Sequence, residues 1–531
     1  GKPNGIHKGP LMNKPDHLAS ELFGALSKEP NRPAIIDYGL PSPTVLKRGI
    51  LLNLALRLAL ELRSEVEENR VGVVLPPGLG GVVANLAILF ADKVPVNLNF
   101  TLGPETVSQS MREAGVKTIL TAKSMVGKFP KFPWPDSILD VADKLKDYRK
   151  EKFSVLLRLL WLRVAPHSFA KAYQVPLKGG SKEGIILFTS GSSGSPKGVV
   201  LTHDNLLANC RQISQVGLFA QDSKILANLP LFHSFGFTIA TLYPLLDGLQ
   251  IVAAPSPLDL SASLRAIREE GVDVVLGTPT FLRGYLRKAK QSDLKSIRFV
   301  VAGAERTPPP LREKWERQCS CRYLEGYGLT EASPVISLNL PGEGSRALSV
   351  GRLLPGIESK TVHPETRKDL PSGETGILCF RGKNIFNGYL NQPEKTRVVL
   401  TEGKWFITGD LGHIDAAGFL FIKGRLSRFS KIGGEMVPHE VVEEAVAQVL
   451  GFAGDEEPAC VITGVEDEAK GECLILYVST DFDSNALRKK LAEDGLPNLW
   501  IPKQIRRIEK IPLLPTGKLD FQAIRNLAMQ G

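Results

Sequence analysis

The sequence is poor in cysteine. Six residues among 531 (Cys210, Cys319, Cys321, Cys379, Cys460 and Cys473) are too few and too scattered for a disulfide framework. The one close pair, Cys319-Ser320-Cys321, lacks a second pair to complete a zinc site. Reduced thiols in a reducing, cytoplasmic compartment are expected. No apolar run occupies the stretch from Gly1 to His17, so no signal peptide is read there. The 50 glycines and 37 prolines follow no period, which excludes a collagen-like repeat. The apolar stretch Phe153 to Val164 would rise only about 18 Å as a helix, too short to span a bilayer.

What is present is ordinary globular usage. Hydrophobic residues make up 43% and charged residues 23%, so the chain is not wholly disordered. At roughly 150 residues per domain the length allows about three or four domains. The net charge of +10 favours an acidic partner or an anionic surface without choosing between them. The first methionine is Met12, and residues 1–15 are expected to be a tail, a cloning scar or the join to an upstream domain.

Residues 71 to 99 read as a strand–helix–strand unit: Arg70 to Leu75 as a buried strand, a Pro76-Pro77-Gly78 turn, Val82 to Phe90 at helical spacing, then Val94 to Val96. Val272 to Leu276 and Ile297 to Ala302 repeat the pattern. Alternation of this kind predicts layered α/β with mostly parallel sheets. The character changes after the Gly-rich stretch Gly424 to Gly434. A helix over Pro438 to Leu450, strands over Ala459 to Thr463 and Leu474 to Ser479, and a charged helix over Asn485 to Glu493 predict a small α+β domain. We therefore expect a large domain over 16–426 and a small one over 427–531. Residues 149–178 stand apart, with seven basic side chains (Arg149, Lys150, Lys152, Arg158, Arg163, Lys171, Lys178) against Glu151.

The strongest chemical signal is Leu187-Phe-Thr-Ser-Gly-Ser-Ser-Gly-Ser-Pro-Lys-Gly198. Glycines let backbone amides converge, hydroxyls donate to phosphate oxygens, and Lys197 adds a positive charge. It is not a Walker loop, because Gly198 follows Lys197. It is not a nucleophile elbow, because Gly191-Ser-Ser-Gly-Ser195 fails G-x-S-x-G at its last position. Alone, such a loop also fits a flexible surface turn. Four further motifs follow in order: Tyr327-Gly-Leu-Thr-Glu331, Trp405-Phe-Ile-Thr-Gly-Asp410, Gly424-Arg425 and Leu514-Pro-Thr-Gly-Lys518. Singly, Asp410 would also fit a helix cap, Arg425 a surface ion pair and Lys518 a solvated lysine.

Together, in this order and at these separations, the motifs resemble the adenylate-forming superfamily of acyl-CoA synthetases, luciferases and peptide-synthetase adenylation domains, from about residue 16 onward. The resemblance implies that ATP and a carboxylate give an acyl-adenylate and pyrophosphate, after which a thiol displaces AMP. It implies a small mobile lid after the large domain. It also implies roles. Thr189, Ser190, Gly191, Ser192, Ser193, Gly194 and Lys197 would hold the β- and γ-phosphates; Thr330 the α-phosphate; and Glu331 a Mg²⁺ ion, whose hardness suits a carboxylate plus phosphate oxygens. Asp410 would accept the ribose hydroxyls and Arg425 support them. Gly303, Ala304, Glu305 and Tyr327 would frame the adenine. Lys518 would bridge carboxylate and α-phosphate in the transition state. Leu229-Pro-Leu-Phe-His-Ser-Phe-Gly236 matches a further family element and puts His233 beside the carboxylate. The apolar stretch Phe235 to Leu246 would line an acyl tunnel or form an ordinary buried helix.

The segment Gly424-Arg-Leu-Ser-Arg-Phe-Ser-Lys-Ile-Gly-Gly-Glu-Met-Val437 carries serine at the hinge position, Ser427, where most members carry Asp or Lys. Its form, with Pro515-Thr-Gly-Lys-Leu-Asp-Phe521 and the basic insert at about 125–180, resembles acyl-acyl carrier protein synthetases, including the synthetase half of bifunctional 2-acylglycerophosphoethanolamine acyltransferases. That branch implies a fatty acid substrate and an acidic acyl carrier protein as acceptor. The alternatives are a fatty acyl-CoA ligase and a non-catalytic adenylate- or lipid-binding protein. Lys431 and Gly433 would serve the second half-reaction. No nucleic-acid partner is expected. Residues 152–165 predict either an interfacial helix docked on the inner face of a membrane or a helix packed on the protein's own core.

Overall fold

The computed structural model describes residues 16–190, 196–342, 346, 348–452, 458–467, 471–513 and 519–529, with only the backbone of Arg149 and Ser190. Gly191, Ser192, Ser193, Gly194 and Lys518 lie outside the described residues, as does the expected tail.

Among the described residues three sheets form. The strand–helix–strand unit is present as Arg70–Val73, Leu79–Phe90 and Val94–Asn97. Both strands are buried, which is why they read as apolar runs rather than as alternation. They belong to a seven-stranded sheet ordered Gly388–Tyr389, Pro196–Thr202, Glu183–Ser190, Val94–Asn97, Arg70–Val73, Thr118–Thr121, Ser137–Asp140. The last five of these are parallel neighbours.

A 13-stranded sheet lies beside it. Its parallel block is Pro33–Asp37, Gln250–Ala253, Lys224–Ala227, Val274–Gly277, Phe299–Ala302 and Arg322–Gly328. At Arg322–Gly328 the direction switches. The remaining strands, ending with Phe406–Ile414 and Phe419–Arg425, pair antiparallel. The expected strands Val272 to Leu276 and Ile297 to Ala302 are thus present, starting two residues later than their apolar runs. One large core, including Val71, Ile88, Ile186, Val199, Ile251 and Phe380, joins both sheets to the helices between them.

The third sheet, of five strands, begins with Phe429–Ile432 and Glu435–Pro438 and includes Cys460–Asp467, Gly471–Val478 and Gln504–Arg507. The expected helices are present as His439–Val449 and Ser484–Glu493. The unit has its own core of Ile432, Val437, Val442, Val446, Leu474, Leu476 and Leu491. A short 3-10 turn, Leu426–Arg428, joins it to the 13-stranded sheet. Arg428, buried there, donates two bonds to Glu443 at 2.6 and 2.7 Å and one to the Ile462 carbonyl at 2.7 Å.

All six cysteines are free and buried. No described helix is long and apolar enough to cross a membrane. Phe235–Leu242 is a buried π-helix that runs into Tyr243–Asp247.

Candidate active site

The parallel strands Phe299–Ala302 and Arg322–Gly328 are neighbours, and at their carboxyl ends lie Gly303 and Tyr327. The sheet changes from parallel to antiparallel at this point, and ligands of layered α/β folds bind outside the carboxyl ends of the strands. Gly303 borders the ring of Phe235, 3.6 Å from where its Cβ would lie. Ala304 adopts φ 68°, a left-handed conformation unusual for a residue with a Cβ. Glu305 is engaged by the helix Pro279–Lys288: its carboxylate accepts from the Thr280 hydroxyl at 2.7 Å and the Thr280 amide at 3.2 Å. Glycine is required at Gly328, where a Cβ would lie 2.2 Å from the Pro334 carbonyl oxygen.

Three residues expected to hold the nucleoside meet. The Tyr327 hydroxyl donates to Asp410 at 2.5 Å. Asp410 and Arg425 are cross-strand partners, and their side chains approach to 3.3 Å. Asp410 is only 3% exposed. Burial raises the pKa of its carboxyl above the usual value, opposed by the Arg425 charge and the Tyr327 hydroxyl. Burial and the charge of Asp410 push the Tyr327 hydroxyl well above its ordinary value. At neutral pH Tyr327 therefore stays a donor, and the Asp410 carboxyl is held on two sides, by Tyr327 and Arg425.

Thr330 and Glu331 open a 3-10 turn just past the strand that carries Tyr327. The Thr330 hydroxyl lies 3.3 Å from that of Ser234. Ser234 follows His233, which is exposed and stacks edge-on to Phe232 at 4.8 Å. Phe232 in turn contacts Phe100 at 5.2 Å, and Phe100 contacts Phe129 at 5.0 Å. Glu331 accepts from the Tyr389 hydroxyl at 2.8 Å, and its backbone carbonyl accepts from Phe386. The ring of Tyr389 lies 5.3 Å from the Lys197 ammonium. Lys197 faces Thr189 across the hairpin of Glu183–Ser190 and Pro196–Thr202.

Ser234 and Tyr389 complete this group without having been singled out from the sequence. The sequence signal for Tyr389 is only the Gly388-Tyr389 pair. Gly388 has φ 144°, and a Cβ there would lie 2.7 Å from Thr396.

The residues expected to act through the small unit lie apart from this group. Lys431 pairs with Glu365, and Gly433 sits at a turn with φ 58° near Leu499. The carbonyl of Ser427, in the connecting turn, accepts from Arg525 at 3.5 Å. An ion pair between Arg306 and Glu444 at 2.9 Å joins the small unit to the loop after Ala304.

Among the described residues no cluster of three or more His, Cys, Asp or Glu side chains could hold a metal ion. A lone carboxylate such as Glu331 suits a hard ion that brings its remaining ligands as phosphate oxygens and water.

A family model described as AMP-binding enzyme matches residues 23–390. The chain belongs to that family. The resemblance to the adenylate-forming superfamily is thereby borne out. A long-chain-fatty-acid–CoA ligase of Bacillus subtilis is 28% identical, covering 97% of this chain and 95% of that protein. A medium-chain fatty-acid–CoA ligase of Escherichia coli is 32% identical over 66% of this chain and 62% of its own length. The crystal structure of ATP-bound MatB from Rhodopseudomonas palustris superposes with a TM-score of 0.78, at 23% identity, covering 97% of this chain and 99% of that one. That likeness establishes the fold.

Proposed function

We propose that this AMP-binding enzyme is an acid–thiol ligase that activates a fatty acid with ATP and passes the acyl group to CoA. The observation that carries the reading is the grouping of Tyr327, Asp410, Arg425, Thr330 and Glu331 of the 13-stranded sheet with Tyr389 and Lys197 of the seven-stranded one. A buried carboxylate held between a phenol and a guanidinium suits the two ribose hydroxyls. Lys197 and the hydroxyl-rich segment from Thr189 suit the polyphosphate, and Thr330 the α-phosphate. Glu331 would hold Mg²⁺, which offsets the phosphate charge when bound. Gly303, Ala304 and the ring of Tyr327 would flank the adenine. His233 and the aromatic group around Phe232 would border the carboxylate.

The substrate carboxylate attacks the α-phosphorus, and pyrophosphate leaves. A thiolate then attacks the acyl carbon, and AMP leaves. Neither step uses a protein nucleophile, so positioning and charge carry the catalysis. Lys518 would supply charge in the first step. The small unit would turn about Ser427 between steps and bring Lys431 and Gly433 toward the thiol.

CoA is favoured because relatives spanning nearly the whole chain are named as fatty-acid–CoA ligases. Acyl carrier protein, expected from the form of Gly424 to Val437 together with Pro515 to Phe521 and the basic insert, rests on those segments alone. ATP–pyrophosphate exchange driven by fatty acids of graded length tests the first half-reaction. Its absence with every acid would favour a binding protein instead. Thioester formation with CoA against holo-carrier protein then decides the acceptor.

A further inference from the structure

The helix Lys152–Val164 carries its apolar stripe on the wrong side for a globular helix. Phe153, Leu156, Leu157, Leu160, Trp161 and Val164 recur at the spacing that normally faces a core. Here they face out: Phe153 and Val164 are each 74% exposed, Leu156 63% and Leu160 58%, while Trp161, 38% exposed, also packs edge-on against the buried Phe169. The inward side is formed by Leu162, Leu159 against Gly49, and Arg158. Core packing therefore accounts for one face of the helix and leaves the more apolar face uncovered.

The charges around that face are of one sign. Lys152 and Arg163 flank the stripe and are exposed, as is Lys171 just beyond it. Glu151, the acidic residue of the segment, is already engaged. It accepts from Arg57 at 2.6 and 3.1 Å and lies 3.6 Å from Arg158. The outward face thus presents apolar side chains within a positive rim. Two copies joined through it would bring like charges together. A bilayer with anionic headgroups offers both an apolar layer and the complementary charge. Thirteen residues make a helix about 20 Å long, which suits lying in the interface rather than crossing it.

We propose that Lys152–Val164 docks this protein on an anionic membrane surface, with Phe153, Leu156, Leu157, Leu160, Trp161 and Val164 entering the headgroup–acyl boundary and Lys152 and Arg163 meeting lipid phosphates. Docking does not depend on the reaction proposed above. It would set a fatty acid ligase where its substrate partitions. The same insert contributes Phe129 to the aromatic group that reaches Phe232.

Co-sedimentation of the full chain with vesicles tests this. One set is phosphatidylglycerol and phosphatidylcholine in equal parts, the other phosphatidylcholine alone. Binding is expected to the anionic vesicles, with weakening as salt is raised. Lys152→Glu with Arg163→Glu should weaken partitioning about tenfold or more. Phe153→Ser with Leu156→Ser and Leu160→Ser should abolish it at an unchanged melting temperature. If the parent chain does not bind anionic vesicles, or the charge-reversed variant binds as tightly as the parent, the proposal fails. It also fails if the parent self-associates through this face, seen as dimers in sedimentation that the triple-serine variant loses while vesicle binding is absent throughout.

Discussion

The hydroxyl of Tyr389 donates to the carboxylate of Glu331 at 2.8 Å, across the junction of the two large sheets. Tyr389 is paired to the hairpin strand that carries Lys197, whereas Glu331 follows Arg322–Gly328 of the other sheet. One phenol thus ties the phosphate side of the site to the carboxylate proposed for Mg²⁺. Burial and the charge of Glu331 raise the pKa of the Tyr389 hydroxyl, so it remains a donor at neutral pH.

Tyr389→Phe should therefore reduce adenylate formation more than stability. A hydrogen bond to a charged group contributes about 1.5–3 kcal/mol, or roughly ten- to a hundredfold in kcat/KM if it is realised in the transition state. The Mg²⁺ concentration needed for half-maximal rate should shift as well. An unchanged Mg²⁺ dependence would remove Tyr389 from the metal's surroundings.

Asp410→Asn should separate function from stability. Loss of charge-assisted acceptance from the ribose should cost about a hundredfold or more in ATP–pyrophosphate exchange. Because burial raises the folded pKa of Asp410, keeping it ionised works against folding. That penalty is absent below the unfolded value, grows as pH rises from the unfolded toward the folded value, and is full above the folded value. Denaturant unfolding should find the variant no less stable than the parent at neutral pH, with any gain vanishing in acid.

Much of this arrangement was legible in the sequence. Buried parallel strands announce themselves as apolar runs, which is why Arg70–Val73 and Val94–Asn97 read correctly. Thr330, Glu331, Asp410 and Arg425 can be named from the sequence because their motifs are local. Tyr389 was not, since its partner lies 58 residues away and nothing nearby marks it. Periodicity identified an apolar stripe in Lys152–Val164 but could not say which side it faced. That is decided by what packs beneath it: Leu159 lies against Gly49 of the helix Arg48–Glu65, and Leu162 is buried, so the inward side is taken by these residues. The antiparallel half of the 13-stranded sheet was equally hidden, because pairing direction depends on connections rather than on residue pattern.

Lys518→Ala should abolish acyl-adenylate formation while sparing much of thioester formation from preformed acyl-adenylate. The lysine is assigned a charge-stabilising role in the first transition state only. Rapid-mixing assays of the two half-reactions would show this, and equal losses in both would contradict the assignment.

Ser427→Pro tests the connecting turn. Proline fixes φ and drives the preceding residue, Leu426, away from helical geometry, so the turn Leu426–Arg428 loses its present form. One half-reaction should fall far more than the other. Parent-like rates in both would place the pivot elsewhere or remove the need for one.

Acid should destabilise this chain earlier than carboxylate titration alone would. His17, His203 and His439 are buried, and burial lowers their pKa values to about 4, about 3 and about 3. Lys182 adds to the effect at His17, and Arg428 at His439. At His439 the neighbours fix the tautomer. Nδ1 faces the Arg428 guanidinium at 3.4 Å, which can only donate, so Nε2 carries the proton toward Ser430 at 2.9 Å. A second ring proton would face a guanidinium. Each folded pKa lies below the unfolded value of 6.5, so the unfolded chain takes up protons first as pH falls. Stability is unaffected above that value and declines as pH drops through the window toward the folded values. At about pH 5 each of these histidines should cost on the order of 2 kcal/mol. Urea unfolding at a series of pH values should show the decline beginning near the ordinary histidine range. His439→Gln keeps a group able to bond Ser430 but does not titrate. It should flatten that decline for the small unit, and an equal slope in parent and variant would show that His439 does not set it.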